Sequence, residues 1–208
     1  MNSLLKLFSI LVVVILSSCS TNNNVKRELN LTINNFMMNR FSDDGEKLFT
    51  IISPKSNLDK ISNIYELEDI EIIFYEDDKN KYLVKADSAI LEKQIVTLNG
   101  NVVIKDIVNN ESEINSDELS WDIEKSIFTL EGNVVLEDNY INLISSKAIL
   151  NQDSNIIKFF NPVKYSYKEV NNQSEYNISS ENAFYDMDNQ TIIFSSEGER
   201  VKSTIYFN

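Results

Sequence analysis

A short apolar segment that is written twice restricts the fold of this chain more than any other sequence feature. LNGNVVI occupies residues 98–104, and LEGNVVL occupies residues 130–136, 32 positions later. Four related openings, ADSAIL, SDELSW, SSKAIL and SENAFY, begin at residues 86, 116, 145 and 180. Their equivalent positions are Ala89, Leu119, Ala148 and Ala183, which are 30, 29 and 35 residues apart. A period near 30 residues predicts a stack of repeated supersecondary units.

Within each unit the apolar residues alternate with polar ones. In the second copy Leu119 and Trp121 occupy odd-numbered positions, and after the polar turn 124–126 the apolar residues Phe128 and Leu130 occupy even-numbered ones. A period of two predicts strands with one buried face, and such units must complete their core on neighbouring copies. The sequence therefore predicts an all-β fold built from repeated strand-turn-strand units.

Breaks in the strand pattern predict local bends. Gly100 and Gly132 fall inside predicted strands, where glycine marks a bend or bulge. Asn161 and Pro162 occupy the equivalent place in the third copy, which suits a kink or an edge. Ahead of the repeats, two more strands are predicted at 48–52 and 70–75, with turns at 43–45 and 77–80. Residues 25–40 have apolar spacing that fits a helix, but they are Asn-rich and fit an extended lead-in equally well.

The N-terminus has the pattern of an export signal. A single Lys6 precedes the apolar run 7–16, which is shorter than the roughly 20 residues that a membrane-spanning helix needs. The run ends in Leu-Ser-Ser-Cys, which resembles the lipobox of bacterial lipoproteins and places the only cysteine, Cys19, at the acylation position. The alternative is a poor membrane anchor with an incidental cysteine. We predict a signal peptide at 1–18, a tether and lead-in at 19–40, and one β-domain at 41–208.

Composition excludes several classes of function. The formal charge of −13 disfavours nucleic acid and binding to an anionic membrane surface by charge alone. The chain has no histidine and only 4 glycines, so we expect no enzyme, no cofactor and no metal site. A weak enzymatic or Ca²⁺-binding alternative rests on carboxylates that lie at turns or beside strands. These are Asp77, Asp78, Asp117, Asp122 and Asp138.

The repeats resemble the LptC family and, more widely, the domain shared by LptA, LptC and OstA in lipopolysaccharide transport. The segments that carry the resemblance are KYLVKADSAILEKQIVTLNGNVVIKD at 81–106 and SDELSWDIEKSIFTLEGNVVLED at 116–138. GEKLFTIISPK at 45–55 and the segment 67–89 resemble the opening of LptC domains, so the resemblance covers most of 45–194. LptC proteins often carry an uncleaved membrane helix, whereas this chain has the lipobox-like run.

The resemblance implies an open, twisted β-jellyroll of antiparallel strands, whose apolar interior shields lipid acyl chains. It further implies a membrane-anchored subunit on the periplasmic side of the cell envelope, at the inner membrane. The expected partners are lipopolysaccharide or a similar amphiphile, the inner-membrane subunits of an ABC transporter, and an LptA-like bridge protein that receives the lipid. The expected groove residues are Leu98, Val102, Trp121, Phe128, Leu130, Val134, Phe159 and Phe194. The alternative is a structural or adhesive β-repeat lipoprotein in which the same residues only fill a core.

The end of the chain offers a place for a partner strand. An open sheet exposes unpaired backbone groups at its edges, and the last segments, 191–194 and 204–207, carry few charges. The predicted docking edge consists of Ile192, Phe194, Ile205 and Phe207. It would add a strand from an LptA-like jellyroll by β-augmentation. The alternative is that the last segment folds back and caps the edge.

Overall fold

A computed structural model of the chain describes residues 30–107, 112–137, 140–168, 175–187, 189, 191–198 and 200–206. These residues form one antiparallel sheet of twelve strands. The strands are β1 Asn30–Phe41, β2 Lys47–Asp59, β3 Ile64–Glu76, β4 Lys79–Glu92, β5 Ile95–Asp106, β6 Glu113–Asp122, β7 Ile127–Glu137, β8 Ile141–Asn151, β9 Ile156–Lys168, β10 Glu175–Asp186, β11 Thr191–Ser195 and β12 Lys202–Tyr206. The predicted all-β, open antiparallel architecture is confirmed.

Strand order follows the chain. Each strand from β1 to β10 pairs with the next, and β12 also pairs with β10, beyond the end of β11. β11 covers the part of β10 from Asn182 to Asp186, and β12 covers the part from Glu175 to Ser179. The last two strands therefore act as one interrupted strand. The sheet is open, with β1 at one edge and β11 and β12 together at the other.

The N-terminal lead-in is part of this sheet. β1 is extended and pairs with β2 from Asn30 to Phe41, so the described part of 25–40 takes the extended alternative and not the helical one. β1 also crosses the predicted boundary between residues 40 and 41. The sheet therefore includes eleven residues, 30–40, that the sequence pattern assigned to the lead-in.

The repeated heptads are repeated kinks. Strand pairing is interrupted in β5 between Asn99 and Val102, and in β7 between Glu131 and Val134. At these points a Gly-Asn pair takes left-handed backbone angles, with φ of 76° and 45° in β5 and 73° and 45° in β7. The Asn101 side-chain amide donates to Asp87 at 2.8 Å, and the Asn133 amide donates to Asp117 at the same distance. Each heptad therefore encodes one bend that is fastened to the preceding strand.

The other kinks are fastened by serines. The Ser145 hydroxyl lies 2.7 Å from the carbonyl oxygen of Lys147 and 2.6 Å from that of Phe160. Ser53 makes the same pair of contacts with Lys55 and Glu68, at 2.7 and 2.6 Å. A serine hydroxyl has one proton, so it donates to one of the two carbonyl groups at a time and supports the irregular pairing at that point. Asn161 and Pro162 lie at such an irregularity within β9, which is an interior strand and not an edge.

We expect Gly132→Ala to lower the free energy of unfolding by about 1–3 kcal/mol. The backbone at Gly132 is left-handed, and a Cβ there would lie 3.0 Å from both Cβ and Cγ of Asp117. Gly45→Ala is the matched control, because Gly45 also has a positive φ of 87° but no atom within 4 Å of the new Cβ. Urea unfolding of both variants measures the difference. Equal losses in the two variants would show that contact with Asp117 does not matter.

Candidate functional site

Each kink divides a long strand into two segments, which we call arms. The arms make up the two halves of one folded sheet. Arms that end at turns 42–46 and 77–78 make the first half, and arms that end at turns 60–63, 93–94, 123–126 and 152–155 make the second. Phe74 on β3 contacts Trp121 on β6 and Phe128 on β7, with ring centroids 4.9 and 5.5 Å apart. Strands that are three or four places apart in the sheet can meet only if the sheet curls over its own face. The curled sheet encloses the core.

The predicted interior residues lie inside this core. Their exposed fractions are 0–3% for Leu98, Val102, Trp121, Phe128, Leu130, Val134 and Phe159. Phe194 is half-buried and packs against Tyr165, with ring centroids 5.2 Å apart. All eight side chains therefore lie on the inner face of the sheet. With so little exposed surface, these seven side chains pack mainly against protein in this conformation and do not line an open groove through the core.

An aromatic seam closes the interior where the turns of the two halves approach each other. We define the seam as Phe49 and Phe74 of the first half with Trp121 and Phe128 of the second. Phe49 meets the Trp121 ring edge-on at 4.7 Å, and Phe128 stacks on it at 5.5 Å. All four rings are at least nine-tenths buried. Such aromatic contacts add to the free energy gained by burying the rings.

A cavity of about 480 Å³ lies immediately outside the seam, and we call it the seam cavity. Phe49, Phe74 and Trp121 form its apolar side, and residues from both halves form a polar rim. The rim contains Arg40, Tyr75, Glu76, Lys81, Tyr82, Glu124, Ser126, Gln152, Asp153 and Asn155. Two basic and three acidic groups face this space, so the rim has no excess of positive charge.

Hydrogen bonds fix part of the rim of the seam cavity. The Tyr75 hydroxyl lies 3.3 Å from the Thr50 hydroxyl and accepts a hydrogen bond from the Lys47 ammonium group at 3.1 Å. These two contacts, with Thr50 the larger, lower the pKa of Tyr75. Lys81 forms an ion pair with Glu76 at 2.6 Å. Both ion-pair partners are partly exposed, so the pair orients the rim more than it stabilises the fold.

Four of the five carboxylates that supported an enzymatic or Ca²⁺-binding alternative are described, and these four do not converge. Asp77 and Asp78 lie at the β3–β4 turn, Asp117 holds the amide of Asn133 at a kink, and Asp122 pairs with Lys125. A hydrogen bond from Lys125 lowers the pKa of Asp122. Among the described residues no three acidic, cysteine or histidine side chains form a metal-binding group. Asp138 lies outside the described residues.

The predicted docking edge is described only in part. Ile192 and Phe194 lie on β11, and both are half-buried against the core. Ile205 belongs to β12, which pairs with β10 and leaves β11 uncovered. Over the described residues, the last segment therefore does not fold back across β11 as a cap. Phe207 and Cys19 lie outside the described residues. Within the described residues, no helix is long and apolar enough to cross a membrane.

Sequence reasoning did not find the seam cavity or the serine contacts at the kinks. The serines stand at the first position of three repeat openings, SDELSW, SSKAIL and SENAFY, and ADSAIL has alanine there. That recurrence was the available signal. The seam cavity has no comparable signal, because it joins residues from arms that are far apart in the repeat pattern.

Comparison with known proteins finds two family models that match this chain, and both are described by lipopolysaccharide assembly or transport. A family model described as "Lipopolysaccharide-assembly, LptC-related" matches residues 4–143, about two thirds of the chain. A second model, "LptA/(LptD N-terminal domain) LPS transport protein", matches residues 113–204. The crystal structure of LptH, the LptA-homologous periplasmic component of the lipopolysaccharide transport device from Pseudomonas aeruginosa, is 14% identical. The match covers 61% of this chain and 94% of LptH, with a TM-score of 0.48. No curated protein matches.

Proposed function

Because the chain belongs to the LptC-related family and acts in lipopolysaccharide transport in the periplasm, we propose that it shields lipid acyl chains inside its curled sheet. In this proposal it is a membrane-anchored subunit that receives lipid from an ABC transporter and passes it to an LptA-like bridge protein. Membership of a transport family also confirms the expectation that it is not an enzyme.

The observation that supports this proposal most strongly is how the two halves are joined. Backbone pairing in the described sheet runs only between the strands of its ladder, so the seam is closed by side-chain packing alone. The halves can therefore separate at the seam while every strand pair stays intact. An acyl chain that entered would replace apolar contacts with apolar contacts, and each buried CH₂ group contributes about 0.8 kcal/mol.

The second candidate is a structural or adhesive β-repeat lipoprotein. It is favoured by the packed interior, in which Leu98, Leu130 and Phe159 have no exposed surface. A filled core of this kind needs no ligand for stability. The two candidate functions differ in whether the two halves of the sheet ever part. Detecting lipid bound inside the sheet would distinguish the two functions.

We further propose that the chain is held at the inner membrane by acylation of Cys19, following a signal peptide at 1–18 and a tether that ends where β1 begins. The support is the lipobox-like run before the only cysteine. An acidic domain is repelled by anionic lipid, so acyl chains would supply the attachment.

Native mass spectrometry of the gently extracted protein tests both the anchor and the transport proposal. We expect a mature chain that begins at Cys19 with a covalent acyl increment, and a fraction that retains non-covalent lipopolysaccharide or a similar amphiphile. Cys19→Ser should yield an unlipidated precursor. A wild-type chain without an acyl increment would reject the anchor, and a chain that never retains amphiphile would favour the structural candidate.

We also propose that the C-terminal edge, formed by β11 and β12, receives a strand of the bridge protein. Both strands pair with β10, and within the described sheet their other sides have no partner strand. Added strands at this edge would align the interiors of the two jellyrolls into one path.

Removing residues 195–208 deletes β12 and the end of β11. We expect the truncated protein to fold but to lose binding to the bridge protein, measured by pull-down with a thermal melt as the folding control. If the truncated and folded protein binds the bridge protein as well as the full chain does, this edge is not the docking site.

A further inference from the structure

Trp121 contains an unusual polar group within the seam. Its side chain is 2% exposed, and its indole Nε1–H is buried without a hydrogen-bond partner. Among the described residues this is the only buried side-chain nitrogen or oxygen atom in that condition. Buried donors are nearly always paired, because an unpaired one loses its hydrogen bonds to water without replacement. An unpaired donor in a native protein calls for a physical cause.

The surroundings of the Trp121 ring account for the unpaired donor. The rings of Phe49, Phe74 and Phe128 pack around it with centroids 4.7–5.5 Å away, and none of them has an acceptor atom. Two of these rings, with Trp121, also form the apolar side of the seam cavity. Trp121 therefore stands at the boundary between the apolar interior and a polar space.

That boundary matches one part of an amphiphile. Its hydrocarbon tails and its polar head are joined by ester or amide linkages, and the carbonyl oxygens of these linkages lie where tail meets head. If the tails occupy the interior and the head occupies the seam cavity, the carbonyl groups come to the level of Trp121.

We infer that the indole N–H of Trp121 donates a hydrogen bond to an acyl-linkage carbonyl oxygen of the bound amphiphile. This inference rests on the proposed function. When the halves part and the amphiphile enters, its carbonyl oxygen accepts a hydrogen bond from the unpaired Trp121 N–H. The indole donor therefore favours the lipid-bound state of the protein. The mixed charges of the rim, with Arg40 and Lys81 against Glu76, Glu124 and Asp153, do not favour an anionic head. Recognition at the seam therefore depends on the linkage and less on phosphate.

A matched pair of single-chain lipids tests this inference. 1-Hexadecanoyl-lysophosphatidylcholine and 1-O-hexadecyl-lysophosphatidylcholine have the same head and chain length, and they differ only in the carbonyl group. We expect the full-length protein to bind the ester lipid about tenfold more tightly than the ether lipid, since the carbonyl pairs a buried donor. Titrations are made below the micelle concentration of either lipid and followed by calorimetry.

Two variants separate the hydrogen bond from the shape of the pocket. Trp121→Phe removes the donor and keeps an aromatic ring, so the two lipids should bind with equal affinity. Phe49→Leu changes a neighbour of the same ring but keeps the donor, so the tenfold ratio should persist whatever happens to either affinity alone.

The wild-type chain provides a second readout that needs no variant. Trp121 is the only tryptophan, so its indole N–H gives a single resonance in a ¹⁵N-correlated NMR spectrum. The ester lipid should move the indole proton downfield, and the ether lipid should not. Equal affinities, or equal shifts with both lipids, would overturn the inference and leave the proposed function intact. Binding of neither lipid would instead count against both.

Discussion

Replacing Trp121 with alanine is expected to lower the free energy of unfolding by about 3–5 kcal/mol, the range for deleting a large buried aromatic ring. The ring contacts Phe49 and Phe74 of the first half and Phe128 of its own half. Its removal leaves a cavity at the contact that holds the halves together. Because whole domains are stable by only about 5–15 kcal/mol, this single change should remove a large share of the stability.

Urea unfolding followed by far-UV circular dichroism measures the effect of Trp121→Ala. Ile193→Ala is the control, because Ile193 is equally apolar but 66% exposed on the outer face of β11. The control should change stability by no more than about 0.5 kcal/mol. A loss below about 1 kcal/mol for Trp121→Ala would mean that the seam does not hold the two halves together.

The period-two pattern predicted the sheet and the inward side of each strand well. Phe128 and Leu130 are buried where alternation placed them, because strand geometry alone determines which face a residue occupies. The two Gly-Asn kinks were also visible, since a glycine inside a strand pattern usually marks a bulge or a bend. The pattern could not show that the asparagine next to each glycine donates a hydrogen bond to Asp87 or Asp117. Those contacts depend on the register of the neighbouring strand.

Other parts of the fold and site were not predictable from local pattern. β1 was ambiguous because the apolar spacing within residues 25–40 fits a helix and an extended strand equally. The seam was not visible because alternation gives the face of a residue but not its partner across a curled sheet, and Phe74 meets Trp121 three strands away. For the same reason alternation could not distinguish a packed interior from an open groove, since both place the same side chains inward.

The proposal that lipid enters the sheet depends on which face of β7 touches the acyl chain. Phe128 faces the core with 3% of its surface exposed, and its neighbour Thr129 faces outward from the same strand. The two positions are adjacent in the chain and differ mainly in which face of the sheet their side chains occupy. They therefore form a matched pair for a photo-crosslinking amino acid, as do Trp121 and Asp122 on β6.

Photo-crosslinking at Phe128 and Thr129, in cells that export lipopolysaccharide, tests the central claim most directly. The label at Phe128 should capture lipopolysaccharide or a similar amphiphile, because acyl chains contact only the inner face. The label at Thr129 should capture little, at the level of an unlabelled chain. Equal capture at the two positions, or capture at neither, would contradict the claim that acyl chains pass between the two halves of the sheet.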